Sequence, residues 1–425
     1  MNFYSTLLNK INKKTAKVAI VGLGYVGLPL ALQFSKKKFN VEGFDIDSNK
    51  VEKLRNCTSY INHIKSIDIK VNKKRLSFTT NFKKININDI IILCLPTPIT
   101  KNYTPDLSNI KATLKNIKKY LREGQMIILE SSTYPGSTRD IIKPFLKKFY
   151  VGENFFLGYS PEREDPNNSK FKLENIPKIC SGYTKNCLKL GFNLYSRVIN
   201  KVIKVSNLET AEFSKLYENI YRSVNIGLVN EMKIISNKLN LNIYEIIKAA
   251  KTKPFGFQAF YPGPGVGGHC IPVDPYYLSW IAKRNKVNSN LIYHAGKINS
   301  YMPEWIIKKT LSQKSIKKVL IIGVAYKKDL DDTRESPAIE FIKIFKRKKI
   351  KVDFFDPNIK KLQSRNLSKI YKSIKLSPHK LKKYDCTIII TDHSNVNYNL
   401  INKHSKMIVD TRNVYKINSK KILKF

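Results

Sequence analysis

Lys17-Val18-Ala19-Ile20-Val21-Gly22-Leu23-Gly24-Tyr25-Val26-Gly27 is the stretch whose reading decides the fold. Residues 17–22 read as a buried strand, and an apolar stretch from about Tyr25 to Lys36 reads as the helix that follows. A second strand, Val41 to Phe44, ends at Asp45. In that setting the three glycines form a G-x-G-x-x-G turn. The turn lets the backbone approach a pyrophosphate, the helix N-terminus faces its charge, and the carboxylate accepts from ribose hydroxyls. Gly22, Gly24, Tyr25, Val26, Gly27 and Asp45 are therefore candidate dinucleotide contacts, and Lys50 is counted with them. An acid at Asp45 repels a 2′-phosphate, so NAD is expected rather than NADP. A bare βα turn with a surface aspartate is the competing reading, and the strand–turn–helix–strand context argues against it.

Further strands are expected at Ile90–Leu95 and Met126–Leu129, and strands alternating with helical stretches indicate a parallel, doubly wound sheet. Between Asn207 and Asn240 the grammar changes. Leu208, Ala211, Leu216, Ile220, Val224, Leu228, Met232, Ile235 and Leu239 mark one long amphipathic helix. A Pro/Gly-dense loop (Pro254 to Gly268) follows, then helical sequence to about Lys309. Strand grammar restarts near Lys318 with KKVLIIGVAYK, IKVDFFDP, DCTIIITDH and MIVDTRN. The expected fold is α/β, two Rossmann-like doubly wound lobes joined by a long central helix segment, with divisions 1–207, 208–309 and 310–425. The second lobe has only Gly323 at its turn, so it is expected to hold a different ligand, such as a substrate nucleotide. A helix as long and apolar as 208–239 offers more surface than its flanks cover, which predicts a homodimer through it.

The 425 residues are 42% hydrophobic and 26% charged, a globular balance able to bury sizeable cores. No apolar run approaches the ~20 residues of a membrane helix. The N-terminal MNFYSTLLNKINKK is basic without a long apolar centre or a small-residue cleavage site, so no secretory leader is expected. Six cysteines without a CxxC pair fit a reducing, cytoplasmic compartment. Lys and Arg outnumber Asp and Glu 77 to 32, giving a net charge of +45. The lysines are scattered among Asn and Ile rather than gathered in a block, which reads as a solvated basic surface. A nucleic-acid binder is the reading from another class, and it would show steeply salt-dependent retention on RNA or DNA. No His/Cys/carboxylate cluster has metal spacing, and no metal is expected.

The most informative chemistry lies in FYPGPGVGGHCIPVDP, residues 260–275. A thiol on a glycine loop can approach a substrate closely, and its thiolate is a good nucleophile. Cys270 is therefore the candidate nucleophile, whereas Cys57, Cys94, Cys180, Cys187 and Cys386 read as buried structural cysteines. His269 is adjacent, and adjacent residues rarely orient as a Cys–His pair. Asp274 follows four positions later. On the long helix Lys215 and Asn219 are four apart and share a face. Either alone would be ordinary, but an ammonium and an amide together can stabilise a developing oxyanion.

With these segments on view, the chain resembles the UDP-glucose/GDP-mannose dehydrogenase family. The matching stretches are GLGYVGLPLA (22–31), LPTP (95–98), ESSTYPGST (130–138), YSPERE (159–164), AEFSKLYEN (211–219), NE (230–231), PGPGVGGHCIPVDP (262–275) and GVAYKKDLDDTRESPA (323–338), in the family's order. The resemblance implies an NAD-binding domain, a central helical dimerisation segment and a C-terminal domain that helps bind a UDP-sugar. It implies a four-electron oxidation of a primary alcohol to a carboxylate, through a cysteine thiohemiacetal and thioester. By position it makes Cys270 the nucleophile, Lys215 and Asn219 the oxyanion stabilisers, and Asp274 the group that orients or activates water. Glu162 would assist hydrolysis as a base, and Thr133 would hold a water or touch the nicotinamide. Thr97 and Arg334 would contact the cofactor, and Arg163, Gly267, Tyr326, Lys327 and Arg412 the sugar nucleotide.

One departure bears on the substrate. UDP-glucose enzymes of the family carry an arginine about sixteen residues before the cysteine, donated across the dimer. Here the stretch is KTKPFGF, with Lys253 the nearest cation. KPFGF, PERED and GGHCIPVDPYYL together resemble the branch acting on UDP-N-acetylglucosamine in surface-polysaccharide synthesis, such as O-antigen or capsule. UDP-glucose and UDP-N-acetylmannosamine are the alternatives. A catalytically dead dimeric scaffold is disfavoured by the intact Lys215, Asn219, Cys270 and Asp274 set.

Overall fold

The computed structural model describes residues 2–62, 64–100, 102–164, 171–268, 270–364, 366–416 and 419–425. The chain begins with α1 (Phe3–Asn12), β1 (Lys17–Val21), α2 (Gly27–Lys36), β2 (Asn40–Phe44), α3 (Ser48–Arg55), α4 (Ser66–Val71), β3 (Leu76–Thr79) and β4 (Ile90–Leu93). It continues with α5 (Ser108–Ile117), β5 (Met126–Leu129), β6 (Phe156–Tyr159), β7 (Lys178–Gly182), α6 (Lys185–Ser196) and β8 (Val202–Lys204). Then come α7 (Leu208–Lys238), α8 (Ile243–Ala250), α9 (Asp274–Arg284) and α10 (Asn290–Leu311). The last part holds β9 (Lys318–Ile322), α11 (Pro337–Arg347), β10 (Lys351–Phe355), the short ribbon β11 (Lys361–Leu362) with β12 (Tyr371–Lys372), β13 (Cys386–Ile389), β14 (Ile408–Asp410) and β15 (Ile422–Leu423). Two compact units result: Met1–Glu218 with Tyr276–Lys286, and Asn219–Pro275 with Val287–Phe425. Among the described residues no helix is long and apolar enough to cross a membrane.

In the first unit the strands run in the order β3-β2-β1-β4-β5-β6-β7-β8. All neighbours are parallel except β6 and β7. The central strands β4 (IIIL) and β5 (MIIL) are buried throughout because helices cover both faces, which is why they are continuous apolar runs rather than alternating ones. Val18 and Ile20 pack with Leu30, Ala31 and Phe34 of α2 and with Leu190 and Leu194 of α6 in one core. The order reverses between β1 and β4, where an open α/β sheet leaves a crevice for a ligand.

The second unit has a fully parallel sheet, β10-β9-β13-β14-β15. Successive residues of β9 serve opposite faces, as the pleat demands. Val319 and Ile321 pack with Phe341 and Phe345 of α11. Leu320 and Ile322 pack with Leu381 and Ile401 on the other side. A second strand-order reversal lies between β9 and β13.

The α/β fold, with one sheet parallel but for the β6–β7 pair and the other fully parallel, follows the sequence reading, and several details differ. The helix after the glycine turn, α2, begins at Gly27 rather than near Tyr25, because the tight turn consumes the residues before it. The strand expected to reach Leu95 ends at Leu93. The basic N-terminal stretch forms α1, capped by Asn2 accepting from the Ser5 N–H at 3.0 Å, with Leu7 and Ile11 buried four residues apart. The helical sequence after the Pro/Gly loop divides into α9 and α10. Cys180, Cys187 and Cys386 are buried as expected, but Cys57 and Cys94 are only half-buried. Cys57 closes α3 in the left-handed region (φ 53°), and Cys94 follows β4 beside the glycine turn.

Candidate active site

The glycine turn is built from three different constraints. Gly22 has φ +94°, and a Cβ there would lie 2.4 Å from the Cys94 carbonyl oxygen. A Cβ on Gly27 would lie 1.8 Å from the Gly22 carbonyl oxygen, so the third glycine lets α2 pack against the turn. A Cβ on Gly24 would meet nothing within 4 Å, so the space on that side of the backbone is open. Asp45, buried beyond β2, accepts from the Leu23 N–H at 2.9 Å and the Asp47 N–H at 3.0 Å. The Lys50 ammonium stands 4.0 Å from its carboxylate. Val26 caps α2, and Tyr25 beside it is half-buried. The open backbone at Gly24, the α2 N-terminus and the Asp45 carboxylate therefore fit a dinucleotide. Sequence reasoning missed Tyr60, whose hydroxyl donates to the Leu23 carbonyl. Burial and the nearby Asp45 and Asp47 charges raise its pKa well above the ordinary phenol range.

Farther along the same sheet, Thr97 and Thr133 are both fully buried. The Thr97 carbonyl accepts from the Tyr277 hydroxyl at 3.0 Å. The Thr133 hydroxyl has no hydrogen-bond partner among the described residues. The ESSTYPGST stretch is gripped by Glu212 of α7. Its carboxylate accepts from the Gly136 N–H (2.5 Å), the Thr138 N–H (2.8 Å), and the Ser137 and Thr138 hydroxyls (3.0 and 2.6 Å).

Glu162 organises the next group. One carboxylate oxygen accepts from the N–H groups of Arg163 (2.7 Å) and Glu164 (2.5 Å), and the other from the Lys178 ammonium at 3.3 Å. The Glu162 backbone carbonyl takes the Lys215 ammonium of α7. Burial pushes the Glu162 pKa up, but Lys178, the backbone donors and Lys215 outweigh it, and the carboxyl is held below its usual range. Lys178 is itself buried, 2.9 Å from Glu130, whose other oxygen receives the Tyr195 hydroxyl. The two carboxylates outweigh burial and keep this ammonium charged. Nothing in the sequence singled out Lys178 among 77 basic residues, since its partners lie in distant segments. Arg163 is engaged by Glu218 at 2.6 Å and the Pro177 carbonyl at 2.6 Å.

In the second unit the cysteine loop is pinned from both ends. Asn230 of α7 accepts from the Gly263 N–H at 3.0 Å and donates to Asn299 of α10 at 2.9 Å. Gly268 has φ +86°, and its N–H donates to the Arg334 carbonyl at 3.0 Å. Side chains at Gly267 or Gly268 would collide with Tyr326, at 2.7 and 2.9 Å respectively. Two segments far apart in the chain, 262–275 and 323–338, are thus brought into contact. The Cys270 carbonyl accepts from the Asp274 N–H at 2.8 Å, so the half-buried cysteine leads directly into α9. Asp274 is fully buried, and its carboxylate accepts from the Asn219 amide at 2.5 Å. His269 lies outside the described residues. The Arg334 guanidinium grips Asp332 at 2.6–3.1 Å. Arg412 donates to the Ile390 carbonyl at 2.7 Å and passes beside Gly263. Lys327 is half-buried next to Tyr326.

Residues 16–199 match the NAD binding domain of the UDP-glucose/GDP-mannose dehydrogenase family, 209–301 its central domain, and 320–417 its UDP binding domain. A UDP-N-acetyl-D-glucosamine 6-dehydrogenase of Pseudomonas aeruginosa is 36% identical over 81% of this chain and 83% of its own length. A UDP-N-acetyl-D-mannosamine dehydrogenase of Pyrococcus horikoshii is 31% identical, covering 94% of this chain and 96% of its own. A solved UDP-D-ManNAc dehydrogenase structure from Pyrococcus horikoshii superposes with a TM-score of 0.86 at 29% identity, covering 96% of this chain and 98% of the other.

Proposed function

This chain belongs to the UDP-glucose/GDP-mannose dehydrogenase family, and on that premise we propose that it oxidises the 6-hydroxymethyl group of UDP-N-acetylglucosamine to a carboxylate with Cys270 as nucleophile. It is an NAD-dependent nucleotide-sugar oxidoreductase. The observation that carries the covalent reading is the cysteine loop. A half-buried thiol on a glycine backbone heads the helix whose first residue, Asp274, is buried and held by Asn219 at 2.5 Å.

When bound, NAD supplies the hydride acceptor for both oxidations. The protein's part is the carbon–sulfur chemistry. The Cys270 thiolate adds to the C6 aldehyde carbon, giving a thiohemiacetal. Oxidation of that adduct leaves a thioester, and water cleaves it to the acid and the free thiol. Lys215 and Asn219 donate to the oxygen as negative charge develops on it. Asp274 orients or activates the hydrolytic water, and Thr133 holds a catalytic water or touches the nicotinamide. Glu162 stays ionised under the combined pull of Lys178 and two backbone N–H groups, and so is available as a base. Tyr326, Lys327 and Arg412 hold the nucleotide, Gly267 admits the sugar, and segments 1–207, 208–309 and 310–425 divide the labour as cofactor, dimerisation and nucleotide domains. The dimer forms through α7, where Leu228, Met232, Ile235 and Leu239 are 39–60% exposed beside a groove of about 700 Å³ lined with α8.

UDP-N-acetylmannosamine is the second reading, favoured by the Pyrococcus horikoshii relative and its structure. Initial rates with saturating NAD⁺ and a panel of UDP-N-acetylglucosamine, UDP-N-acetylmannosamine and UDP-glucose separate them. The highest kcat/KM is expected for UDP-N-acetylglucosamine. A higher value for the mannosamine sugar moves the assignment to it, and oxidation of none of the three removes the proposal.

A further inference from the structure

We propose that His393 is a positioning residue for the nucleotide loop 324–335, locking Asp329 in place while covering Asp356, the acid that follows β10. The inference rests on the reading that this loop receives the uridine diphosphate of the substrate.

The second unit repeats the geometry of the first at its strand-order reversal. Gly323 has φ +78°, and a Cβ on it would lie 2.3 Å from the Thr391 carbonyl oxygen. Asp356 stands after the second strand of its sheet as Asp45 does in the first unit, and it receives the turn's N–H groups, Val324 at 2.7 Å and Ala325 at 3.2 Å. The two acids then diverge. Asp356 also faces the Nε2 of His393 at 3.1 Å, and its second oxygen is taken by the N–H groups of Asn358 (2.8 Å) and Ile359 (3.0 Å). Every side of this carboxylate is engaged within the protein, so it has no capacity for a ribose. At the position where the first unit has Asp45, the second unit uses its acid as a structural anchor.

What the anchor holds is the loop. The His393 ring is fully buried, and its Nδ1 accepts from the Asp329 N–H at 2.9 Å and lies 3.2 Å from the Asn358 amide. Donors at Nδ1 put the ring proton on Nε2, toward Asp356, so the ring is neutral and bridges a carboxylate to a backbone donor. Asp329 has φ 58°, a conformation that non-glycine residues seldom adopt without support. Its carboxylate takes the Ser394 N–H and hydroxyl, each at 2.7 Å. Residues 393 and 394 thus hold Asp329 by backbone and side chain together. The Thr391 hydroxyl secures the Ala325 carbonyl at 2.6 Å, and the Tyr326 N–H closes the loop on the Asp332 carbonyl at 2.9 Å. Tyr326 and Lys327 are therefore presented between two fixed points, and His393 supplies one of them.

The test is calorimetric titration of the full-length protein with UDP and, separately, NAD⁺. His393→Leu fills the space but leaves the Asp329 N–H without an acceptor. It should raise the Kd for UDP about tenfold and the KM for the UDP-sugar in parallel, with kcat and the Kd for NAD⁺ within twofold of wild type. His393→Gln, which can accept at one end and donate at the other, should recover most of the loss. A UDP Kd changed less than threefold in a His393→Leu protein that still binds NAD⁺ overturns the proposal. If that variant does not fold, Ser394→Ala decides: a threefold or larger rise in UDP Kd supports the latch, and a smaller one overturns it. Wild type that binds NAD⁺ but not UDP would instead sink the nucleotide reading on which the inference rests, and the inference with it.

Discussion

At the scale of single residues, the thiol of Cys270 and the carboxylate of Glu212 carry different kinds of consequence. A serine at position 270 is a poorer nucleophile at neutral pH, and its ester hydrolyses more slowly than a thioester. Cys270→Ser is therefore expected to stall after the second oxidation and to accumulate a protein-bound sugar ester, read by intact mass. Rapid release of acid with no adduct would argue that Cys270 is not the nucleophile. Glu212 bears on stability. Burial pushes its pKa up to about 7 from an ordinary 4.5, against the pull of four donors from residues 136–138. A raised pKa means that the folded state prefers the protonated acid. The contribution is full below about 4.5 and is lost as pH rises through about 7. Melting temperatures of wild type should fall relative to Glu212→Gln as pH goes from 5 to 8. A difference independent of pH would contradict the assignment.

At the scale of elements, the glycine turn makes a prediction that separates folding from binding. Gly22→Ala forces a positive φ on alanine and a 2.4 Å approach to the Cys94 carbonyl, so it should destabilise the first unit outright. Gly24→Ala meets nothing within 4 Å, so its melting temperature should match wild type. Its Cβ enters the space of the pyrophosphate, and NAD⁺ affinity should drop by about tenfold or more. Equal NAD⁺ affinity in Gly24→Ala would remove the turn from the cofactor site. This element was legible in the sequence because its determinants are local: three glycines, a strand before them and an acid after the next strand. The central strands β4 and β5 were legible as short runs of pure apolar residues. By contrast β7 opens on the buried Lys178, and its charge is matched by Glu130 and Glu162, residues that only the folded sheet brings near. Asp356 and His393 were illegible for the same reason: an aspartate after a strand is readable, but its partner lies 37 positions on. The contact of Gly267 and Gly268 with Tyr326 joins two motifs that the sequence presents as unrelated.

For the molecule as a whole, a homodimer and a fixed reaction stoichiometry are expected. The α7 residues Leu228 and Ile235 are 53% and 45% exposed, an apolar cost that a second copy would remove. Wild type should show twice the chain mass by light scattering at micromolar concentration. Leu228→Glu with Ile235→Glu should show the single-chain mass with the fold intact. A monomeric wild type would contradict dimerisation through this helix. Whether one site carries an alcohol through to an acid by way of Cys270 can be read by counting cofactor turnover. Purified enzyme given excess NAD⁺ and a limiting, known amount of the UDP-sugar it oxidises fastest should form two NADH for each sugar consumed, with the uronic acid as the only sugar product. One NADH per sugar, with free aldehyde or ketone released, would contradict the four-electron mechanism.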